Sequence, residues 1–265
     1  MERPLAIGVI GGGPLPVQWS KPFEKLHLTT RYGDPSAFIA KTTLDSGSCV
    51  YSLLRHGEKH SAGSEINNLA NVESMHVLGC DVVVSLNLIG SLTGRHRLGE
   101  TVIYDDIIDF RKVSTSFYTK SEGVHVAMAP LVSPALATQL TTIAHHLEVS
   151  FGGNMMVPEG PRYPTVAESN MFVTLGAQLI CQTVAPEAFL IRERGMEWFG
   201  CGLITDFHVH DPTQPLTTRL IYENMKPFEA AYARTVLQIL ERLRPFERSP
   251  VMGEAAVPTD LITNF

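Results

Sequence analysis

The chain has no basic excess, no apolar run of membrane-spanning length and few cysteines, and each lack removes a class of function. With 21 Lys and Arg against 27 Asp and Glu, its formal charge is -6. The positive footprint on which nucleic-acid binding depends is therefore missing. No apolar run approaches the roughly 20 residues needed to cross a bilayer. The start, Met1-Glu2-Arg3-Pro4, passes straight into a short apolar stretch ending in glycines, which is the pattern of neither a signal peptide nor a transit peptide. The cysteines, Cys49, Cys80, Cys181 and Cys201, are scattered, with no close pair and no metal-ligand spacing. Each lies in or beside an apolar stretch, where a free thiol behaves as a small core residue. A reduced, cytoplasmic protein is expected.

What is present describes a globular domain: 44% of 265 residues are hydrophobic and 18% charged, enough to bury a substantial core. Leu5 to Ile10 reads as a buried strand ended by Gly11-Gly12-Gly13-Pro14. Further strands are predicted over Cys49 to Leu54, Asp81 to Leu88, Thr101 to Ile108, Asn154 to Val157, Leu179 to Thr183 and Trp198 to Thr205. Helical patterns lie between several of them, over Ser64 to Leu78, Pro134 to His146, Thr165 to Leu175 and Pro186 to Arg194. This alternation predicts one α/β domain, 1–265, with a central, mixed or parallel, largely buried sheet flanked by helices. A last helix is expected over about 216–243, ending before Pro245. No repeat, low-complexity tract or linker interrupts the chain.

Chemistry gathers at strand ends, where open α/β sheets bind ligands. Gly11-Gly12-Gly13 lets a backbone approach an anion, although a plain tight turn is the simpler reading. Arg55-His56-Gly57-Glu58-Lys59-His60 presents a planar guanidinium fork and an imidazole donor, suited to phosphate, or else forms a solvated charged loop. Asp206, at the end of an apolar strand, is partly desolvated and can share a proton with a ring nitrogen. His208 and His210 beside it lack the third ligand that a metal site needs. The run Val157-Pro158-Glu159-Gly160-Pro161-Arg162-Tyr163-Pro164-Thr165 is the most informative. A strand feeds a Gly-Pro turn, an aromatic ends that turn, and Thr165 with Glu168 fits a capping box, so a rigid turn offers one flat side chain.

Taken in order, these segments resemble the trimeric purine nucleoside phosphorylase family, and most of all its 5'-methylthioadenosine phosphorylase branch. The resemblance runs from Gly8 to about Asp206. It is carried by Gly8-Val9-Ile10-Gly11-Gly12, Tyr32-Gly33-Asp34-Pro35-Ser36, Arg55-His56-Gly57, Ile66-Asn67, Gly90-Ser91-Leu92 and Asp105-Asp106-Ile107-Ile108-Asp109-Phe110. Glu159-Gly160-Pro161-Arg162, Ala167-Glu168-Ser169, Pro186-Glu187-Ala188 and Thr205-Asp206 complete it. It implies a nucleoside phosphorylase-like fold and cleavage of a purine–ribose bond by inorganic phosphate, with no metal or organic cofactor. By position, Gly12, Gly13, Arg55, His56, Asn87 and Thr183 fall on the phosphate ligands. Leu88, Tyr163, Gln182, Asp206 and His208 fall on the nucleoside site, with Tyr163 against the purine and Asp206 as the acid that meets N7. His125 matches a residue that reaches a neighbouring subunit's site, which implies a homotrimer or a hexamer of the same chain.

The departures from the family pattern narrow the expectation. Asp206, where the 6-oxopurine branch has Asn, and Pro164, where that branch clamps the base with Glu, favour adenine. Methylthioadenosine or a related 5'-modified adenine nucleoside is the expected substrate, with Leu216 and Leu220 as residues against the 5'-substituent. On the phosphate side, Gly13-Pro14 replaces a hydroxyl-bearing residue and Asn87 replaces a threonine. Gln182 replaces a methionine on the ribose face, which makes that face more polar. Two other readings therefore stand beside the first: a phosphorylase for an unusual pathway-specific nucleoside, and a nucleoside hydrolase or non-catalytic nucleoside-binding homologue.

Overall fold

The longest strands are the most apolar, and they form the middle of the sheet. In the computed structural model, which describes residues 3–12, 21–59, 61–118, 125–207 and 216–247, three parallel neighbours lie side by side: β1 (Ala6–Gly11), β4 (Cys49–Leu54) and β5 (Val82–Ser91). A fourth, β11 (Glu197–Phe207), runs parallel along the whole other edge of β5. Nearly every residue of β5 and β11 is buried, as expected of parallel strands covered on both faces. The other strands are β2 (Glu24–Leu26), β3 (Ile39–Thr43), β6 (Thr101–Tyr104), β7 (Asp106–Phe110), β8 (Ser150–Phe151), β9 (Asn154–Pro158) and β10 (Leu179–Ile180). Some of them pair antiparallel, so the sheet, eleven-stranded among the described residues, is mixed.

Because β11 occupies one edge of β5, both β1 and β10 must share the other. β1 pairs with Val82 to Leu86, and β10 pairs antiparallel with Gly90 and Ser91. Between them, from Asn87 to Ile89, that edge of β5 has no strand beside it among the described residues. This interruption, beyond the carboxyl ends of β1 and β4 and within β5, opens the cleft described below.

Local chemistry sets the helix starts. α1 (Asn68–Val77) begins where the Asn67 side chain accepts from the Ala70 amide. A 3-10 turn at Gly63–Glu65 precedes it, so the helix is shorter than the periodicity suggests. α2 (Pro134–Leu147) has Ser133 as its cap and proline in its first turn. α3 (Val166–Thr174) opens on the complete Thr165–Glu168 capping box. α4 (Glu187–Glu193) follows, and the chain ends in α5 (Thr218–Met225) and α6 (Glu229–Arg242).

Other elements also differ from the sequence reading. The single C-terminal helix expected over about 216–243 is two helices, broken around Pro227, which has no N–H and whose ring obstructs the preceding turn. The strand expected over Thr101 to Ile108 is two, parted at Asp105. β6 pairs with β11, whereas β7 pairs with β9. The strand expected over Leu179 to Thr183 stops at Ile180, freeing the residues after it to line the cleft.

Candidate active site

The cleft holds about 1020 Å³ of empty space, open solvent at its mouth included. Its first wall is polar. Gly12 directly follows β1, and a Cβ there would sit 3.4 Å from Arg55 Nη1 and 3.6 Å from His56 Cδ2, so glycine keeps that space open. Arg55 follows β4 directly, its amide donating to the Gly11 carbonyl at 2.8 Å. It is fully buried, not part of a solvated loop. His56 Nδ1 donates to the Ser61 carbonyl at 2.9 Å, which fixes the ring's orientation.

Asn87 lies in the uncovered stretch of β5. The Tyr104 hydroxyl donates to Asn87 Oδ1 at 2.6 Å, and Asn87 Nδ2 donates to Thr183 Oγ1 at 3.0 Å. Burial raises Tyr104 well above an ordinary phenol, so it remains a neutral donor. With its oxygen accepting from Asn87, Thr183 keeps its own hydroxyl hydrogen for another acceptor. Gly12, Arg55, His56, Asn87 and Thr183 thus converge on one wall suited to an anion.

The second wall is flat and carries one acid. Tyr163 and Pro164 lie on it, and the Tyr163 hydroxyl meets Thr218 Oγ1 at 3.1 Å. Asp206 is 6% exposed, and its Oδ1 accepts from the Thr205 hydroxyl at 2.8 Å. A β-bulge places it there: the β5–β11 register shifts between Ile204 and Asp206, so Thr205 is the extra residue and Asp206 faces Gly90. Asn224 of α5 holds the bulge by donating to the Thr205 carbonyl at 2.8 Å.

Leu88, Gln182 and Cys181 line the space between these walls. Gln182 Nε2 donates to the Arg162 carbonyl at 2.7 Å, which ties down the turn carrying Tyr163. Gly160 in that turn allows this approach, since a Cβ there would lie 2.7 Å from Gln182 Oε1. Burial pushes the Cys181 thiol up, so it serves as wall and not as a thiolate nucleophile. A third side comes from Ile221, Tyr222 and Met225 of α5 and Glu229 of α6.

A model of the phosphorylase superfamily matches residues 6–243. The chain belongs to the phosphorylase superfamily. Among relatives, a purine nucleoside phosphorylase of Drosophila melanogaster is 34% identical over 81% of this chain and 77% of its own length. An S-methyl-5'-thioadenosine phosphorylase of Pyrococcus horikoshii is also 34% identical, over 91% of this chain and 94% of its own. Among solved structures, a methylthioadenosine phosphorylase from an Antarctic soil metagenomic library is 28% identical, with a TM-score of 0.78 over 91% of this chain and 85% of that one. A methylthioadenosine phosphorylase from Schistosoma mansoni shares the fold, with a TM-score of 0.81 over 89% and 91% of the two chains at 22% identity.

On this phosphorylase fold, Gly12, Arg55, His56, Asn87, Leu88, Tyr163, Gln182, Thr183 and Asp206 line one cleft. Gly13 and His208 lie outside the described residues. His125 is exposed and is not part of the cleft of its own chain. Leu216 and Leu220 do not line it either. The helical face turned inward belongs to Ile221, Tyr222 and Met225, because α5 begins only at Thr218. Glu229 was not anticipated, since nothing local distinguishes it from a solvated glutamate opening a helix.

Proposed function

We propose that the protein is a pentosyltransferase that cleaves the N-glycosidic bond of a purine nucleoside with inorganic phosphate. Adenine leaves from methylthioadenosine or a related 5'-modified adenine nucleoside, and a ribose 1-phosphate forms. The observation that carries this reading is one cleft joining a donor-rich wall, Gly12 to Thr183, with a buried carboxylate beside an aromatic, Asp206 and Tyr163. Relatives named for purine nucleosides and for methylthioadenosine support it.

In this reading phosphate rests on the first wall and the purine stacks on Tyr163. A phosphate oxygen forms a bond to the anomeric carbon while the carbon–nitrogen bond breaks, and that electron pair enters the purine ring. Asp206, set against N7, shares with it the proton that neutralises the charge developing there. The protein's remaining work is positioning, which converts two encounters into one aligned displacement. No metal or organic cofactor has a part, because phosphate is itself the co-substrate. The adenine preference rests on Asp206 together with Pro164, which offers the base no side-chain hydrogen bond.

The same reading includes a homotrimer in a reduced, cytoplasmic setting. His125 of one subunit would then complete the cleft of the next, and the cysteines Cys49, Cys80, Cys181 and Cys201 are free. The test is to incubate the protein with methylthioadenosine, adenosine and inosine, with and without phosphate, and to follow the free base. Phosphate-dependent adenine release, much faster than hypoxanthine release, is expected. Equal release without phosphate would make the protein a hydrolase, and binding without any release a non-catalytic homologue.

A further inference from the structure

The Pro186-Glu187-Ala188 segment belongs to none of the walls of the cleft, yet Glu187 is fully buried. Its carboxylate takes one edge of the Arg55 fork, with Nε donating to Oε2 at 2.7 Å and Nη2 to Oε1 at 2.8 Å. The second hydrogen of Nη2 goes to the Ile10 carbonyl at 3.0 Å, and Nη1 donates to the Leu86 carbonyl at 3.3 Å. A guanidinium has five N–H donors. Four are thus spent inside the protein, and the one that remains is on Nη1, the nitrogen nearest Gly12.

Glu187 is itself held from behind. The Ser85 hydroxyl donates to its Oε1 at 2.5 Å, and the Trp198 indole N–H donates to Ser85 Oγ at 2.8 Å. Ser85, Trp198, Glu187 and Arg55 are all fully buried. Burial pulls the Arg55 guanidinium down, but the adjoining Glu187 carboxylate outweighs it and leaves the group above its ordinary value, firmly charged. A guanidinium so placed cannot turn its bidentate edge toward a ligand without breaking a buried ion pair, which is costly.

We propose that Glu187 is the positioning residue of the anion wall. Backed by Ser85 and Trp198, it occupies the bidentate edge of Arg55, so that Arg55 meets phosphate through the single remaining Nη1–H. This revises the expectation that the whole fork reads the phosphate. It rests on the phosphorolysis reading, from which its test can be separated.

The test is calorimetric titration of the unliganded protein with inorganic phosphate, joined to steady-state KM values for phosphate and for nucleoside. Glu187→Asp keeps the charge but shortens the arm that sets the fork. It should raise the phosphate Kd and KM at least tenfold while leaving the nucleoside KM within about twofold. Ser85→Ala removes only the rear support and should shift the phosphate constants in the same direction by about threefold, which decides the matter if Glu187→Asp does not fold. Phosphate constants within twofold of wild type in a folded variant would overturn the proposal. So would equal rises for both substrates, which would mark a general structural role. If the wild-type protein binds no phosphate, the functional reading fails and this proposal with it. If wild type binds phosphate and both variants match it, only this proposal fails.

Discussion

Asp206 and Arg55 are both ionisable side chains at strand ends, but their surroundings give them opposite tasks. Glu187 and two carbonyls take four of the five Arg55 donors, so it is a fixed donor through the one that remains. Asp206 has the Thr205 hydroxyl on Oδ1 and lies beside the flat wall of Tyr163 and Pro164, where a ring nitrogen can reach it. Replacing the acid while keeping its shape should therefore damage the chemistry and spare the anion. For Asp206→Asn we expect kcat for an adenine nucleoside to fall by about 100-fold or more, the usual contribution of a positioned proton donor. Phosphate affinity should change by no more than about twofold. Single-turnover kinetics together with phosphate titration checks this, and unchanged turnover would remove Asp206 from its role.

At the scale of elements, two devices aim the site. One is the β11 bulge, pinned through Asn224, which couples the direction of Asp206 to the seating of α5. The other is the turn before α3. Thr165 and Glu168 exchange hydrogen bonds at 3.2 and 2.8 Å, and Arg162 grips Glu168 at 2.6 and 2.7 Å. The Arg162 guanidinium and then the Thr165 amide hold the Glu168 carboxyl down to about 2, from an ordinary 4.5. A depressed carboxylate contributes stability above its unfolded value and loses it as protonation overtakes the folded one. The stability advantage of wild type over Glu168→Gln should thus be constant above about pH 4.5 and vanish as the pH falls toward about 2. Denaturant melts across that window measure it. Because the pair is exposed, added salt should shrink the advantage at every pH. A difference that grows on acidification would contradict the assignment.

At the scale of the whole molecule, the sheet carries the cleft. Tyr104 of β6 is fully buried against β11, packed edge-on to Trp198, and its hydroxyl reaches Asn87 in the cleft wall. Opposite it stands Gly200, where any Cβ would fall inside the Tyr104 ring. Gly200→Ala should therefore cost about 2–3 kcal/mol by overpacking. It should also raise the phosphate KM by displacing Tyr104 and with it Asn87. Urea denaturation and steady-state kinetics on the same variant test both halves, and a loss of stability with an unaltered phosphate constant would separate Tyr104 from the site.

The sequence by itself determined what short-range physics controls. The alternation of apolar strands with helices declared an α/β sheet, and β4 lies where its apolar run does. The turn before α3 was legible because its hydrogen bonds span three residues, Thr165 to Glu168. The short strands β2, β3 and β8 were not. β2 is exposed and charged and β8 is two residues long, so neither carries an apolar run, and β3 is a hairpin arm beside β4 with only part of its length buried. The tertiary structure alone decided the inner working of the site. Glu187 is 132 residues from Arg55 in the chain, and Tyr104 reaches Asn87 across the sheet from another strand. Such contacts leave no mark in local periodicity, because they form only when loop closure has been repaid by burying the strands between them.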